Sequence, residues 1–326
     1  MGPSLSIYPR ITMDQVNQRI NVNGVNGSPD NTGAASPGRD SHAVRQVIPD
    51  RQQVTVRMRG GHVRQVAPDR PQATVRVDEN ITVAAWNVNT LHQAGKYEDL
   101  KRERRRMGLD IVGVSEVRWT GVGECEDDEV KFVYSGGDTH RRGVGVMTTK
   151  AVARCIKGYF AISDRVLVVK LAGAPLDINI VQVYAPTAGH DDEDIEEFYE
   201  GVDSALKQCK PHEITLVMGD WNAKVGQGRD GGMVGPWGLG IRNERGQKFA
   251  EWCQENGQVV LNTWFRNHHR RLWTWKSPGD LTRNQIDYIT INKRFRNAVL
   301  LCRTKPGADL GSGCDHVPVF AKLRLN

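Results

Sequence analysis

The stretch Ile214-Thr215-Leu216-Val217-Met218-Gly219-Asp220-Trp221-Asn222-Ala223 decides how the rest of the chain is read. Its mostly apolar start predicts a short buried strand, and Gly219 allows a tight exit from it. Side chains alternate across a strand, so Leu216, Met218 and Asp220 share one face. Asp220 therefore leaves the core side of the sheet where the chain turns, and a carboxylate there is costly unless it is used or paired. Asp-x-Asn after a strand is also an ordinary turn motif. Asp220 and Asn222 gain meaning only if other strands end in the same way.

They do. Ile81-Thr82-Val83-Ala84-Ala85-Trp86-Asn87 reads as a strand ending at Asn87. Asp110-Ile111-Val112-Gly113-Val114-Ser115-Glu116 places Val112, Val114 and Glu116 on one face. Ile178-Asn179-Ile180-Val181-Gln182-Val183-Tyr184 stops before Ala185-Pro186-Thr187. Asn87, Glu116, Tyr184 and Asp220 thus all fall at the C-terminal ends of strands, where open α/β sheets place ligands. Farther on, Arg283-Asn284-Gln285-Ile286-Asp287-Tyr288-Ile289-Thr290-Ile291 puts Asp287 on the face of Ile289 and Ile291, which buries a carboxylate unless a cation or donor meets it. Gly313-Cys314-Asp315-His316 precedes a final strand from Val317 to Leu325 and offers an imidazole. Pairing Asp287 with His316 explains both residues.

The resulting set, Asn87, Glu116, Asp220, Asn222, Asp287, Asp315 and His316, contains oxygen and imidazole donors and no thiolate. Hard oxygen ligands suit Mg²⁺, with Mn²⁺ as its substitute, bound through one or two carboxylates and a substrate phosphate. Such a site suits phosphoester hydrolysis, in which amide and imidazolium donors meet the charge that develops on phosphorus.

Composition sets the frame for this site. The chain has 326 residues, 39% of them hydrophobic, enough for one large domain with an appendage. No stretch is long and apolar enough for a membrane span, and the N-terminus lacks a secretory pattern. Six cysteines occur without C-x-x-C spacing, which argues against a zinc site and a disulfide framework. The expectation is a monomer inside the cell, nuclear or cytoplasmic, with reduced thiols. A net charge of +6 does not by itself argue for nucleic acid.

Residues 1–80 differ in texture, with clusters of Asn, Gly, Pro and Ser, no Lys and no Trp. Such a segment buries too little to offset its ordering entropy, so it is expected to be disordered, with the folded domain spanning 81–326. Within it Val44-Arg45-Gln46-Val47-Ile48-Pro49-Asp50-Arg51 recurs as Val63-Arg64-Gln65-Val66-Ala67-Pro68-Asp69-Arg70. A duplicated solvated linker is the expectation, ahead of a transient hairpin.

Helical patterns separate several of the strands. Residues 95–107 put Tyr97, Leu100, Arg104 and Met107 at helical spacing, and Lys101, Arg102, Arg104, Arg105 and Arg106 make a basic surface expected to be a solvated face. The acids Asp191, Asp192, Glu193 and Asp194 complement the dipole of a helix start. Asn243 and Gly257 bracket a third helix. The Gly-rich run Gly226-Gln227-Gly228 lacks a following Gly-Lys-Ser/Thr, so no nucleotide cofactor is expected. Arg266, His268, His269, Arg270 and Arg271, with Trp273 and Trp275 beside them, are candidate DNA contacts. The alternative is an exposed hairpin with aromatic core residues.

Six ordered motifs, Trp86-Asn87, Ser115-Glu116, Tyr184-Ala185-Pro186, Gly219-Asp220-Trp221-Asn222, Ile286-Asp287-Tyr288 and Asp315-His316, resemble those of the endonuclease/exonuclease/phosphatase superfamily. Arg118-Trp119-Thr120-Gly121, Arg142-Gly143-Val144-Gly145 and Asn243-Glu244-Arg245-Gly246 further resemble the endonuclease domain of RTE-type non-LTR retrotransposons, shared by craniofacial development protein 2-like proteins. The resemblance implies an α+β fold, a four-layer α/β sandwich of two mixed β-sheets packed face to face with flanking helices. It implies a DNA endonuclease in which Glu116 is the main Mg²⁺ ligand with Asn87 beside it and Asp315 near a metal. Asp220 would handle the nucleophilic water and Asn222 would donate to the transition state. Tyr184 would contact phosphate, and His316, oriented by Asp287, the scissile phosphoryl oxygen. Two departures stand out. Asn89 sits where apurinic endonucleases carry a second metal-side acid, which argues for a single metal, and Gly313-Cys314 replaces the usual Ser before Asp-His. The rival functions are another phosphoesterase of the superfamily, acting on RNA, inositol phosphates or lipids, and a non-catalytic nucleic-acid or protein-binding module.

Overall fold

The structure is a computed structural model that describes residues 53–58, 61–66, 71, 73–76, 80–311 and 313–324. Its centre is two mixed β-sheets laid face to face. One has eight strands in the order Gln53–Met58, Gly61–Val66, Ile156–Ala161, Val166–Leu171, Ile178–Tyr184, Ile214–Asp220, Asp287–Asn292 and Gln258–Val260. The other has seven, in the order Val299–Thr304, Val319–Arg324, Asn80–Asn87, Ile111–Ser115, Val144–Thr149, Val130–Ser135 and Val122–Glu126.

Each large sheet contains one parallel pair among the described residues: Asn80–Asn87 with Ile111–Ser115, and Ile178–Tyr184 with Ile214–Asp220. A parallel pair needs a crossover, and a helix lies on each, Lys96–Met107 and Asp192–Leu206. All four strands therefore run the same way within their pairs, and their C-terminal ends carry the polar residues that begin the site. The strand Ile214–Asp220 packs against Asn80–Asn87 across the sandwich, which brings the two sets of ends together.

The helices follow the expected cap chemistry. Asp191 accepts from the Asp194 N–H at 3.0 Å, and Asn243 accepts from the Gly246 N–H at 2.8 Å. Helix Glu244–Glu255 packs Phe249 on Trp221, with centroids 4.1 Å apart, and Trp252 gives its indole N–H to Asp203 at 2.8 Å. Trp221 thus anchors the chain immediately after Asp220.

Two expectations are corrected by the fold. Within residues 1–80, Gln53–Met58 and Gly61–Val66 pair antiparallel and extend the eight-stranded sheet through Ile156–Ala161. Composition and duplication suggested a solvated linker, whereas the Val/Arg/Thr alternation suits the strand pairing of the hairpin alternative. Val75 is buried in the core, so core material begins before Ile81. The first half of the repeat, Val44 to Arg51, lies outside the described residues. The basic face of helix Lys96–Met107 is not simply solvated either. Arg104 is buried and pairs with Glu129 at 2.5 Å, Arg105 also pairs with Glu129, Arg106 pairs with Glu103 at 2.6 Å and Lys101 with Asp127 at 2.7 Å. Lys101, Arg104 and Arg105 fasten the helix to the sheet turn at Asp127–Glu129, whereas the Arg106–Glu103 pair lies within the helix.

Gly219 carries a large structural load at the site's edge. Its φ is 149°, and a Cβ there would sit 1.9 Å from the Val183 carbonyl oxygen on the parallel neighbour strand. A backbone carbonyl inside a sheet cannot swing away as a side-chain tip can. Gly219→Ala is expected to cost about 2–4 kcal/mol, combining backbone strain with overpacking, read as a lowered urea midpoint. An unchanged midpoint would mean the strand relaxes freely at this position.

Candidate active site

Tyr184, Asp220 and Asp287 stand side by side in register at one edge of the eight-stranded sheet. The opposite sheet supplies Asn87 and, one residue past its strand, Glu116. His316 arrives just before the last strand, Val319–Arg324, with its carbonyl accepting from the Trp86 indole at 3.2 Å. The structure thus brings together Asn87, Glu116, Tyr184, Asp220, Asp287 and His316 from both sheets.

Strand alternation does not place Glu116. The strand Ile111–Ser115 ends first, and Glu116 takes a left-handed φ of 58°, a conformation costing a non-glycine residue about 1–2 kcal/mol. Asn89, Arg118 and Asn222 around it are also left-handed, with φ of 57°, 57° and 46°. Such clusters persist where the surroundings over-determine the backbone. Here the surroundings are hydrogen bonds to the carboxylate: Asn87 Nδ2 and the Tyr184 hydroxyl each donate to Oε1 at 3.0 Å, and Arg118 Nη2 donates to Oε2 at 2.6 Å. Burial alone would raise the Glu116 pKa, but the Asn87 amide, the Arg118 guanidinium and the Tyr184 hydroxyl outweigh it and hold the carboxyl below its ordinary value. Glu116 is an ionised, half-buried carboxylate.

Asn87 bridges the two acids. Its Nδ2 also donates to Asp220 Oδ2 at 2.9 Å, while its Oδ1 accepts from the Asn89 N–H at 3.0 Å. The Asn87 amide nitrogen thus faces the carboxylates and its oxygen is engaged with backbone. Asn89 itself joins Arg118, which donates to Asn89 Oδ1 at 2.9 Å, to the loop before His316, through Asn89 Nδ2 and the Gly313 carbonyl at 2.6 Å. Arg118 is the residue that sequence reasoning missed as a partner of Glu116. The available signal was a cation two positions after the carboxylate in Glu116-Val117-Arg118.

His316 and Asp287 do pair, with Nδ1 2.9 Å from Asp287 Oδ2, while Nε2 lies 4.0 Å from Asp220 Oδ2. Burial alone would lower the imidazole pKa, but the charge and hydrogen bond of Asp287, with the charges of Asp220 and Asp315, raise it to about 9. Asp220 moves up from the ordinary carboxylate range because it is buried and lies near the Asp287 charge, against the pull of His316, Asn87 and the Asn222 N–H. Asp220, Asp287 and His316 offer ligand atoms within 4.8 Å of one another. Asn222 gives its backbone N–H to Asp220 Oδ1 at 3.0 Å and an amide hydrogen to the Ala185 carbonyl at 2.9 Å.

The remaining expected residues are placed differently. Asp315 accepts from the Trp275 indole at 2.9 Å, which commits that oxygen to the neighbouring hairpin Trp275–Lys276 and Arg283–Asn284. Arg266, His268, His269 and Arg270 are exposed and Arg271 is half-buried. Trp273 is 5% exposed with Arg283 over its ring at 4.7 Å, so it belongs to the hairpin's packing and presents no free face to a base. The alternative hairpin reading therefore holds for Trp273.

Glu116 fits a hard divalent cation by its donor chemistry. It is an ionised oxygen ligand with the neutral Asn87 amide on Oε1 and the Arg118 guanidinium on Oε2, and one or two carboxylates with water suffice for Mg²⁺. The nearby thiol does not compete: Cys314 is pushed up to about 11 by burial and directs its sulfur to the His316 carbonyl at 3.3 Å.

Two mixed sheets whose strand ends present this set of acids, amides and an imidazole define a member of a phosphoesterase fold class. The chain belongs to the Endonuclease/Exonuclease/phosphatase family, whose model matches residues 84–316. It is 39% identical over 248 residues to craniofacial development protein 2 of Bos taurus, a match covering 76% of this chain and 41% of that protein's length. It thus spans less than half of that relative. The fold is similar to the endonuclease domain of TRAS1, a telomere-specific non-LTR retrotransposon, with a TM-score of 0.54 and 15% identity over 76% of this chain and 99% of that one. It is also similar to the AP endonuclease LMAP from Leishmania major, with a TM-score of 0.55 and 16% identity over 75% of this chain and 88% of that one.

Proposed function

We propose that the protein is a Mg²⁺-dependent endonuclease that hydrolyses DNA phosphodiester bonds, of the RTE retrotransposon type suggested by its motifs. One observation carries this reading: an ionised Glu116, a buried Asp220 and a His316 imidazole braced by Asp287 converge from both sheets on one edge. Glu116 would hold the metal, which when bound supplies positive charge against the phosphoryl and leaving oxygens. Asp220 takes the proton of the attacking water, and Asn87 keeps it aimed by donating to its other side. The His316 imidazolium donates from Nε2 to a non-bridging phosphoryl oxygen, since Nδ1 is already held by Asp287. The amide nitrogen of Asn222 carries two hydrogens, and the one not given to Ala185 is suited to the same charge. Tyr184 steadies Glu116 instead of reaching the phosphate, and burial with the charges of Glu116 and Asp220 raises its pKa, so it remains a donor.

Support for DNA as substrate comes from the exposed run Arg266, His268, His269 and Arg270 beside the hairpin that carries Trp275, and from the retrotransposon endonuclease among the similar folds. The test is nicking of supercoiled plasmid with Mg²⁺, with Mn²⁺ and with EDTA. Relaxed circles with either metal and none with chelator are expected. Phosphate release from inositol phosphates without nicking would move the substrate assignment to a small phosphoester.

A further inference from the structure

Arg165 is a buried cation that the chemistry above does not use. It is 7% exposed, directly before the strand Val166–Leu171, and no carboxylate hydrogen-bonds to it among the described residues. Asp164 beside it faces Arg142 at 3.8 Å. A guanidinium taken out of water without an acid partner is a costly choice for a position that a methionine could fill. What it touches explains the choice.

The guanidinium carbon lies 5.2 Å from the centroid of the Tyr184 ring, a cation–π distance, and Nη1 donates to the Tyr184 carbonyl at 3.1 Å. The Tyr184 N–H in turn donates to the Arg165 carbonyl at 2.9 Å. Nη2 stands 3.4 Å from His190 Nε2, and His190 Nδ1 is 3.0 Å from the Thr187 hydroxyl. One planar fork therefore holds the face and carbonyl of Tyr184 and the far end of the loop that follows it. The first two residues of that span matter to the site. The Tyr184 hydroxyl donates to Glu116, and the Ala185 carbonyl, one residue on, receives Asn222.

We propose that Arg165 is a positioning residue: stacked on Tyr184 and bonded to its carbonyl, it fixes the phenol that orients Glu116 and the loop that orients Asn222. Its effect on metal binding passes through Tyr184, because Arg165 has no hydrogen bond to Glu116 among the described residues. Lysine would keep the charge and lose the planar fork. The inference rests on the reading of Glu116 as a metal ligand, and its test does not require turnover.

The experiment is calorimetric titration of the full chain with Mn²⁺ for wild type, Arg165→Met, Arg165→Lys, Tyr184→Phe and the Arg165→Met/Tyr184→Phe double variant, each first checked by thermal melting. Arg165→Met should weaken Mn²⁺ binding about tenfold, and Arg165→Lys should fall between it and wild type. In the Tyr184→Phe background, Arg165→Met should change the affinity less than twofold, because the hydroxyl it positions is gone. If Arg165→Met does not melt cooperatively, Arg165→Lys carries the comparison in both backgrounds. Equal Mn²⁺ affinity in wild type and a folded Arg165 variant overturns the inference while leaving the metal site in place, as does a full additive loss in the Tyr184→Phe background. Failure of wild type itself to bind Mn²⁺ overturns the metal reading, and the inference falls with it.

Discussion

Asp220→Asn is expected to lower plasmid nicking by about 10²–10⁴-fold, the range for loss of a positioned general base, while DNA binding and the fold persist. The substitution keeps the shape of a side chain that accepts from Asn87 Nδ2 at 2.9 Å and from the Asn222 N–H at 3.0 Å. It removes the ability to take a proton and turns one of the two accepting oxygens into a donor, so the bond from either Asn87 or the Asn222 N–H is lost. Its effect on stability has a definite sign. Burial first, then the Asp287 charge, raise the folded-state pKa of Asp220, so the folded state binds that proton more tightly than the unfolded chain does. A carboxylate shifted in this direction costs stability as pH rises from its unfolded value through the raised one, and the cost is fully present above the latter. An amide carries no such cost, which offsets the roughly 1 kcal/mol of the hydrogen bond it gives up, so the variant should melt close to the wild-type temperature at neutral pH. Nicking by purified Asp220→Asn equal to wild type would remove Asp220 from the chemistry. A drop in melting temperature larger than the loss of one hydrogen bond explains would show that its charge is structural.

Strand periodicity was enough to find the edge of the sandwich where the site lies. Tyr184 and Asp220 end their strands as expected because a run of apolar residues in a fully buried parallel strand has one way to stop, at a polar residue. Asp287 was legible as a buried acid needing a donor, because Ile289 and Ile291 on its face left it no route to solvent. Glu116 was found for a reason that is only partly right. Alternation put it on a core face, whereas a left-handed residue turns it toward Tyr184 and Arg118, and backbone handedness at a non-glycine position leaves no periodic trace. The orientation of the Asn87 amide was equally hidden. It depends on Glu116 and Asp220 arriving from different sheets at distances of 3.0 and 2.9 Å, which is a tertiary fact. Inter-sheet contacts of this kind also fix how the halves meet: Gln182 Nε2 donates to Ser115 Oγ, which donates to the Val183 carbonyl, each at 3.0 Å. Trp273 shows the same limit from the opposite side. An aromatic residue beside five basic ones reads as a stacking platform until the fold shows Arg283 lying on its ring.

The pairing of Asp287 with His316 makes the alkaline side of the pH profile a direct test of the site. His316 is raised to about 9 although its burial acts to lower it, because Asp287 supplies both a charge and a hydrogen bond, and Asp220 and Asp315 add their charges. If the imidazolium is the form that meets the phosphate, activity in wild type holds through neutral pH and falls as pH rises through about 9. Asp287→Ala removes the largest of the raising contributions, so the limb should move to lower pH by about 1–3 units, the usual effect of one opposite charge at contact distance. Stability follows the same sign. A raised imidazole pKa stabilises the fold fully below the unfolded value of 6.5, and the contribution is lost as pH rises through about 9. The variant should therefore lose most of its stability difference from wild type at high pH. Because Asp287 acts by holding and charging His316, Asp287→Ala and His316→Ala should each lower kcat/KM by about 10²–10³-fold, and the double variant should be little worse than the worse single one. Independent roles would give losses that multiply. Additive free-energy losses, or an alkaline limb that stays at its wild-type position in Asp287→Ala, would separate the two residues and leave Asp287 as a buried acid serving the sheet edge alone.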